Sequence, residues 1–135
     1  MKMFSYGMNC NLDGMERRCP DAVCLGAAEL PDWKFSFKYH ADVEPCANSS
    51  VAGVLWDISA ADLDTMDQQE GYPDYYLRDT VMVLHQGSLV PAIVYFMTPG
   101  HELCFPSDSY WDMVLEGYQQ NQVDVRQLYT AIAAI

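Results

Sequence analysis

Basic side chains are what this sequence has least of: seven Lys and Arg stand against nineteen Asp and Glu, for a net charge of −12. Binding nucleic acid through its phosphates needs clustered cations, so no nucleic-acid partner is expected. Long apolar runs are missing as well. None reaches the roughly 18 residues that a membrane helix requires, and no membrane association is expected. The opening stretch Met1–Gly7 lacks the apolar segment of a signal peptide and reads as a strand, so a soluble, cytoplasmic protein is expected. Cysteine pairs are absent too. Cys10, Cys19, Cys24, Cys46 and Cys104 are odd in number and form no C-x-x-C, which speaks against a disulfide framework or a thiolate zinc site. His40, His85 and His101 are scattered, so no metal is expected. Nothing in the sequence specifies an oligomeric state.

What is present suits a folded globule. Half of the 135 residues are apolar and 13% are aromatic, enough for a real core and for one domain over residues 1–135. The acids are spread along the chain and not blocked into one run, which suits solubility; an acidic surface that occupies a partner's basic groove is the alternative.

Lys2 to Tyr6 reads as a short strand running into the corner Gly7-Met8-Asn9-Cys10-Asn11, where Gly and Asn tolerate left-handed angles. A helix is expected from about Asp13, its N-cap, to Cys19 before Pro20. Val23–Leu30 and Lys34–His40 read as strands joined by a turn at Pro31-Asp32. In the second, Phe35, Phe37 and Tyr39 alternate with Ser36 and Lys38. Asp42–Ser50 reads as a polar loop and Val51–Ile58 as a buried strand. Ser59 and Asp62 resemble a capping box opening a helix that runs to about Glu70, with Gly71 as its terminator. Tyr75–Leu84 and Leu89–Met97 form an expected hairpin. Two helices follow, carrying Trp111, Val114, Leu115 and Tyr118, then Val125, Leu128, Tyr129 and Ile132 behind an Asp124 cap. The interleaving predicts an α+β fold: a small, curved, mixed β-sheet or β-barrel with flanking helices.

Two positions invite chemistry. Leu63, Met66, Asp67 and Glu70 share one helix face, so Glu70 is carried inward beside the partly negative helix end. Burial and that dipole both disfavour the carboxylate and raise its pKa toward neutrality, as proton transfer requires. The corner Tyr6-Gly7-Met8-Asn9 can turn backbone N–H groups inward to hold a carboxylate or oxyanion. It lacks the glycine spacing of a dinucleotide loop and the Gly-Lys of a P-loop. Tyr72, Tyr75, Tyr76, Tyr110 and Trp111 suit core or pocket wall. Cys104 near His101 has no orienting acid to make it a thiol nucleophile.

Four segments in the same order resemble the gamma-glutamylcyclotransferase family. Phe4-Ser5-Tyr6-Gly7-Met8-Asn9 is similar to its Y-G-S-N corner. Val54–Ile58 followed by Leu63-Asp64-Thr65-Met66-Asp67-Gln68-Gln69-Glu70-Gly71 resembles its strand and L-D-x-x-E-G helix end. Ile93–Thr98 is similar to a later strand, and Pro106–Tyr110 to the opening of its next helix. The resemblance implies a small β-barrel with flanking helices and a small-molecule γ-glutamyl substrate, an amine or amino acid conjugate. Its α-amine attacks its own side-chain carbonyl to release 5-oxoproline, with no metal or cofactor. It implies that Glu70 moves the proton, that Tyr6, Gly7, Met8 and Asn9 hold the substrate, and that Tyr110, with Tyr76 nearby, lines the pocket. Met8 stands where the family carries serine, so only its backbone N–H is shared there. A non-catalytic acidic binding protein on the same scaffold, a decoy or metabolite binder, is the alternative.

Overall fold

A computed structural model describes residues 1–135. Five strands, β1 (Lys2–Ser5), β2 (Val23–Lys38), β3 (His40–Asp57), β4 (Tyr76–His85) and β5 (Ser88–Met97), close into a barrel in the order β1-β3-β2-β4-β5. Four helices flank it: α1 (Leu12–Arg18), α2 (Ala60–Glu70), α3 (Asp108–Gln120) and α4 (Arg126–Ala133). Closure pairs β1 parallel to β5 at Met3 and Ile93; the other neighbours are antiparallel. The expected α+β class with a small barrel is what forms.

The barrel is filled by Phe4, Leu30, Phe37, Val43, Val51, Leu55, Val83 and Val94, all essentially inaccessible. Met66 of α2, Val114 and Tyr118 of α3 and Leu128 of α4 cover it. Each such aliphatic or aromatic side chain contributes about 1.5–3 kcal/mol through burial. Ser59 opens α2 with the reciprocal capping box: its hydroxyl accepts from Asp62 N–H while the Asp62 carboxylate accepts from Ser59 N–H. Gly71 ends α2 in the left-handed region at φ 65°. The β4–β5 hairpin turns on Gln86 and Gly87, at φ 50° and 81°, so that His85 faces Ser88.

Elsewhere the structure corrects the sequence reading. Pro31-Asp32 is no turn: β2 runs straight through it, and Asp42–Ser50 is no loop but the first half of β3. The two long strands bulge opposite each other there. The register passes from Trp33–Pro45 to Pro31–Ser50, and the Asp32 carboxylate accepts from Asn48 N–H. The chain reverses instead at Tyr39, an exposed residue at φ 68° and not a member of the Phe35–Phe37 face. The α1 cap is Asn11, whose side chain accepts from Gly14 N–H, and not Asp13. In α4 the N-cap is Val125, with Asp124 accepting from Arg126 N–H one residue earlier.

Candidate active site

At one end of the barrel the chain forms a cavity of about 100 Å³. Its walls are the corner after β1, the tip of the β2–β3 hairpin, the end of α2, the start of β4, and one residue each from β5 and α3. The residues expected at a site, Tyr6, Gly7, Met8, Asn9, Glu70, Tyr76 and Tyr110, all line it. Tyr72, Trp111, His101 and Cys104 do not; the Cys104 thiol is exposed and only approaches Phe105 O.

The corner is built by a short 3-10 turn, Met8–Cys10, closed by Cys10 N–H donating to Gly7 O. Gly7 has φ −115°, so it is not a left-handed hinge as expected; its role is space. A Cβ at Gly7 would lie 2.9 Å from Tyr110 Oη and 3.1 Å from the Ala41 Cβ.

Three hydroxyls in this region are fixed donors to main chain or acid. Tyr6 Oη donates to Tyr95 O at 2.7 Å, Tyr76 Oη to Ala41 O at 2.6 Å, and Tyr95 Oη to Asp67 Oδ1 at 2.6 Å. Tyr110 differs: its oxygen accepts from Ala41 N–H at 3.0 Å, which leaves its own proton free to meet a ligand. At the rim, His40 Nδ1 and Tyr75 Oη share a hydrogen bond of 2.8 Å, and the His40 ring stands edge-on to Tyr110.

Glu70 sits half-buried at the C-terminal end of α2, on the face whose Met66 is fully buried. Its Oε1 accepts from Asn9 Nδ2 at 2.8 Å. Burial pushes its carboxyl up to about 7, with the Asn9 hydrogen bond and the Arg18 charge partly opposing the rise. Burial drives the other groups away from neutrality. Tyr6, Tyr75, Tyr76, Tyr95 and Tyr110 are held above the usual phenol range, and His40 below the usual imidazole range. One carboxyl able to exchange a proton near pH 7 therefore stands among phenols and an imidazole that stay neutral there.

Sequence reasoning did not bring His40, Ala41, Gln69 or Tyr95 to the site. His40 and Ala41 arrive because of the Tyr39 reversal, which no Gly, Pro or Asn announces. Tyr75 was visible only as one of several pocket-wall aromatics.

A model of the family described as gamma-glutamyl cyclotransferase, AIG2-like, matches residues 3–113. The human and mouse proteins named gamma-glutamylcyclotransferase are each 26% identical over 132 aligned residues, covering 87% of this chain and 70% of theirs. A solved gamma-glutamyl cyclotransferase structure, 24% identical, superposes with a TM-score of 0.87 over 98% of this chain and 86% of that one. An uncharacterized human protein, 26% identical, superposes at 0.85 with the same coverage.

Proposed function

The chain belongs to the gamma-glutamyl cyclotransferase, AIG2-like family, which supports a cyclotransferase activity, and we propose that it releases 5-oxoproline from a γ-glutamyl amine or γ-glutamyl amino acid. The observation that carries the reading is the Glu70 carboxyl, raised to about 7 in a cavity bordered by the Tyr6–Asn9 corner.

An α-ammonium is no nucleophile until it loses a proton. Glu70 takes that proton, and the freed amine attacks the substrate's γ-carbonyl carbon, forming the C–N bond of a five-membered ring. The carbonyl oxygen becomes an oxyanion. As the tetrahedral centre collapses, Glu70 returns the proton to the leaving nitrogen and the old C–N bond breaks. The ring nitrogen then passes its second proton through the Glu70 carboxylate to the released amine, leaving neutral 5-oxoproline and a free ammonium product, an amine or amino acid. A positioned acid/base of this kind supplies about 10²–10⁴-fold. Because the attack is intramolecular, binding has mainly to select the reactive conformer.

In this reading the amides of Gly7, Met8 and Asn9 hold the substrate carboxylate. The free proton of Tyr110 Oη donates to a substrate oxygen. Tyr76, whose proton is taken by Ala41 O, serves as wall and not as donor. Asn9 engages Glu70 Oε1, which leaves Oε2 to work on the substrate amine.

The test is 5-oxoproline release by purified protein from a panel of γ-glutamyl amines, γ-glutamyl amino acids and γ-glutamyl-lysine isopeptide. Turnover of at least one, lowered about 10²–10⁴-fold by Glu70→Gln, is expected. No turnover across the panel, or a Glu70→Gln enzyme as fast as the parent, overturns the proposal.

A further inference from the structure

The Asn9 side chain that meets Glu70 is itself held from behind. Its Oδ1 accepts from Arg18 Nη2 at 2.8 Å and from Gln69 Nε2 at 3.1 Å. With its oxygen occupied by two donors, the amide has one orientation left, Nδ2 toward Glu70 Oε1 at 2.8 Å. Arg18 closes α1, where a cation is favoured by the helix end. It forms no salt bridge, unlike Lys34, Lys38, Arg78 and Arg126, each of which pairs with an Asp or Glu. Its Nε is buried without a partner. An apolar residue of similar length would fill that space without a buried, unsatisfied donor. Packing alone therefore does not account for an arginine.

We propose that Arg18 is a positioning residue for Glu70: through Asn9 it presents a hydrogen-bond donor and a relayed positive charge to the carboxylate in its ionised, base-competent form. Were the Asn9 amide to turn over, its oxygen would face Glu70, an arrangement that suits only the protonated acid. The relay thus selects the state that accepts a proton. The assignment rests on the reading of Glu70 as the base.

The other titratable groups around the carboxyl are Tyr6 at the corner, Tyr75 and Tyr76 where β4 begins, Tyr95 on β5 and Tyr110 on α3. All are held above the phenol range. His40 at the β2–β3 tip is held below the imidazole range by burial. Asp67, one turn back on α2, is paired with Arg78 at 2.8 Å. Arg18 is the one cation acting on Glu70 that no carboxylate already engages.

The test is a 13C NMR titration of the Glu70 side-chain carboxyl, assigned by its loss in Glu70→Gln, in the parent, Arg18→Met, Arg18→Gln and Arg18→Lys. One charge acting through two successive hydrogen bonds corresponds to about one pH unit. Arg18→Met is expected to raise the Glu70 midpoint by that amount, Arg18→Gln by less because it keeps a donor to Asn9, and Arg18→Lys to restore most of the parent value. The acid limb of kcat/KM should move with the midpoint. Below that limb the Arg18→Met enzyme should therefore lose about tenfold relative to the parent, with the gap narrowing above pH 8.5. Far-UV circular dichroism and melting check that each variant folds; should Arg18→Met fail, Arg18→Gln carries the comparison. A midpoint unmoved in the folded variants overturns the assignment. Absence of turnover in the parent overturns the function proposed above, while the NMR midpoints still decide the relay.

Discussion

Replacing Glu70 by Gln should make the protein more stable at alkaline pH while disabling it. The carboxyl titrates at about 7 in the fold against an ordinary 4.5, because burial penalises its charged form. The folded chain therefore holds this proton more tightly than the unfolded chain does. The contribution of Glu70 to stability falls as pH rises between about 4.5 and 7 and adds no further slope outside that window. The shift corresponds to about 3 kcal/mol between the two plateaus. Gln is close in shape to the protonated acid and never ionises, and its Oε1 can still accept from Asn9 Nδ2. The two proteins should have similar stability at pH 4.5. At pH 8 the variant should lead by about 3 kcal/mol, or about 10 °C in melting temperature for a chain of this size. Urea unfolding followed by circular dichroism, at both pH values and on both proteins, measures the difference. Every other titrating group is common to the pair and cancels. A gap that stays constant between pH 4.5 and 8, or one that moves in favour of the parent at pH 8, refutes the claim that burial penalises the Glu70 carboxylate.

Two further outcomes follow from the same geometry. If Glu70 must be ionised to act, kcat/KM should fall below about pH 7; a stopped-flow or discontinuous pH–rate profile with its acid limb near 4.5 would exclude the raised carboxyl as the base. Gly7→Ala places a methyl 2.9 Å from Tyr110 Oη and 3.1 Å from the Ala41 Cβ. It should destabilise by about 1 kcal/mol and lower kcat/KM at least tenfold by displacing the Tyr110 hydroxyl; parent-like kinetics would count against that hydroxyl as a substrate donor.

The parts of the fold governed by local chemistry were legible in the sequence. The Ser59 and Asp62 pair, the inward Met66 and the Gly71 terminator specify α2 within a dozen residues, and Gln86-Gly87 specifies the β4–β5 turn. Legibility failed where two segments decide each other's conformation. Pro31-Asp32 and Asn48-Ser49-Ser50 carry ordinary turn residues, yet they sit opposite each other as facing bulges, with Asp32 satisfying the Asn48 amide. The true reversal falls on Tyr39, which side-chain chemistry does not mark. The candidate site divides the same way. The helix period alone carries Glu70 inward, while the corner becomes its neighbour through a contact spanning 61 residues of sequence. The family resemblance supplied that pairing. Ala41 was invisible because it acts through its backbone, and Arg18 because it reaches the carboxyl through another side chain.

That backbone contribution bears on how the cavity keeps its shape. Ala41 N–H donates to Tyr110 Oη from α3, and Ala41 O accepts from Tyr76 Oη of β4, so the hairpin tip is pinned from two sides. Tyr6 is pinned likewise: its hydroxyl donates to Tyr95 O, and its carbonyl accepts from the buried Tyr118 hydroxyl, which Gln127 also engages. Each of these buried polar atoms has its partner, so the wall holds its dipoles in place before any ligand arrives. Their protons are held above the phenol range or already given away, and His40 is held neutral. Among the cavity groups whose titration burial displaces, Glu70 alone comes to rest near neutrality. A site that rigid has little means of creating a base by rearrangement on binding, which is why the proposed chemistry is assigned to the one carboxyl that already has the appropriate pKa.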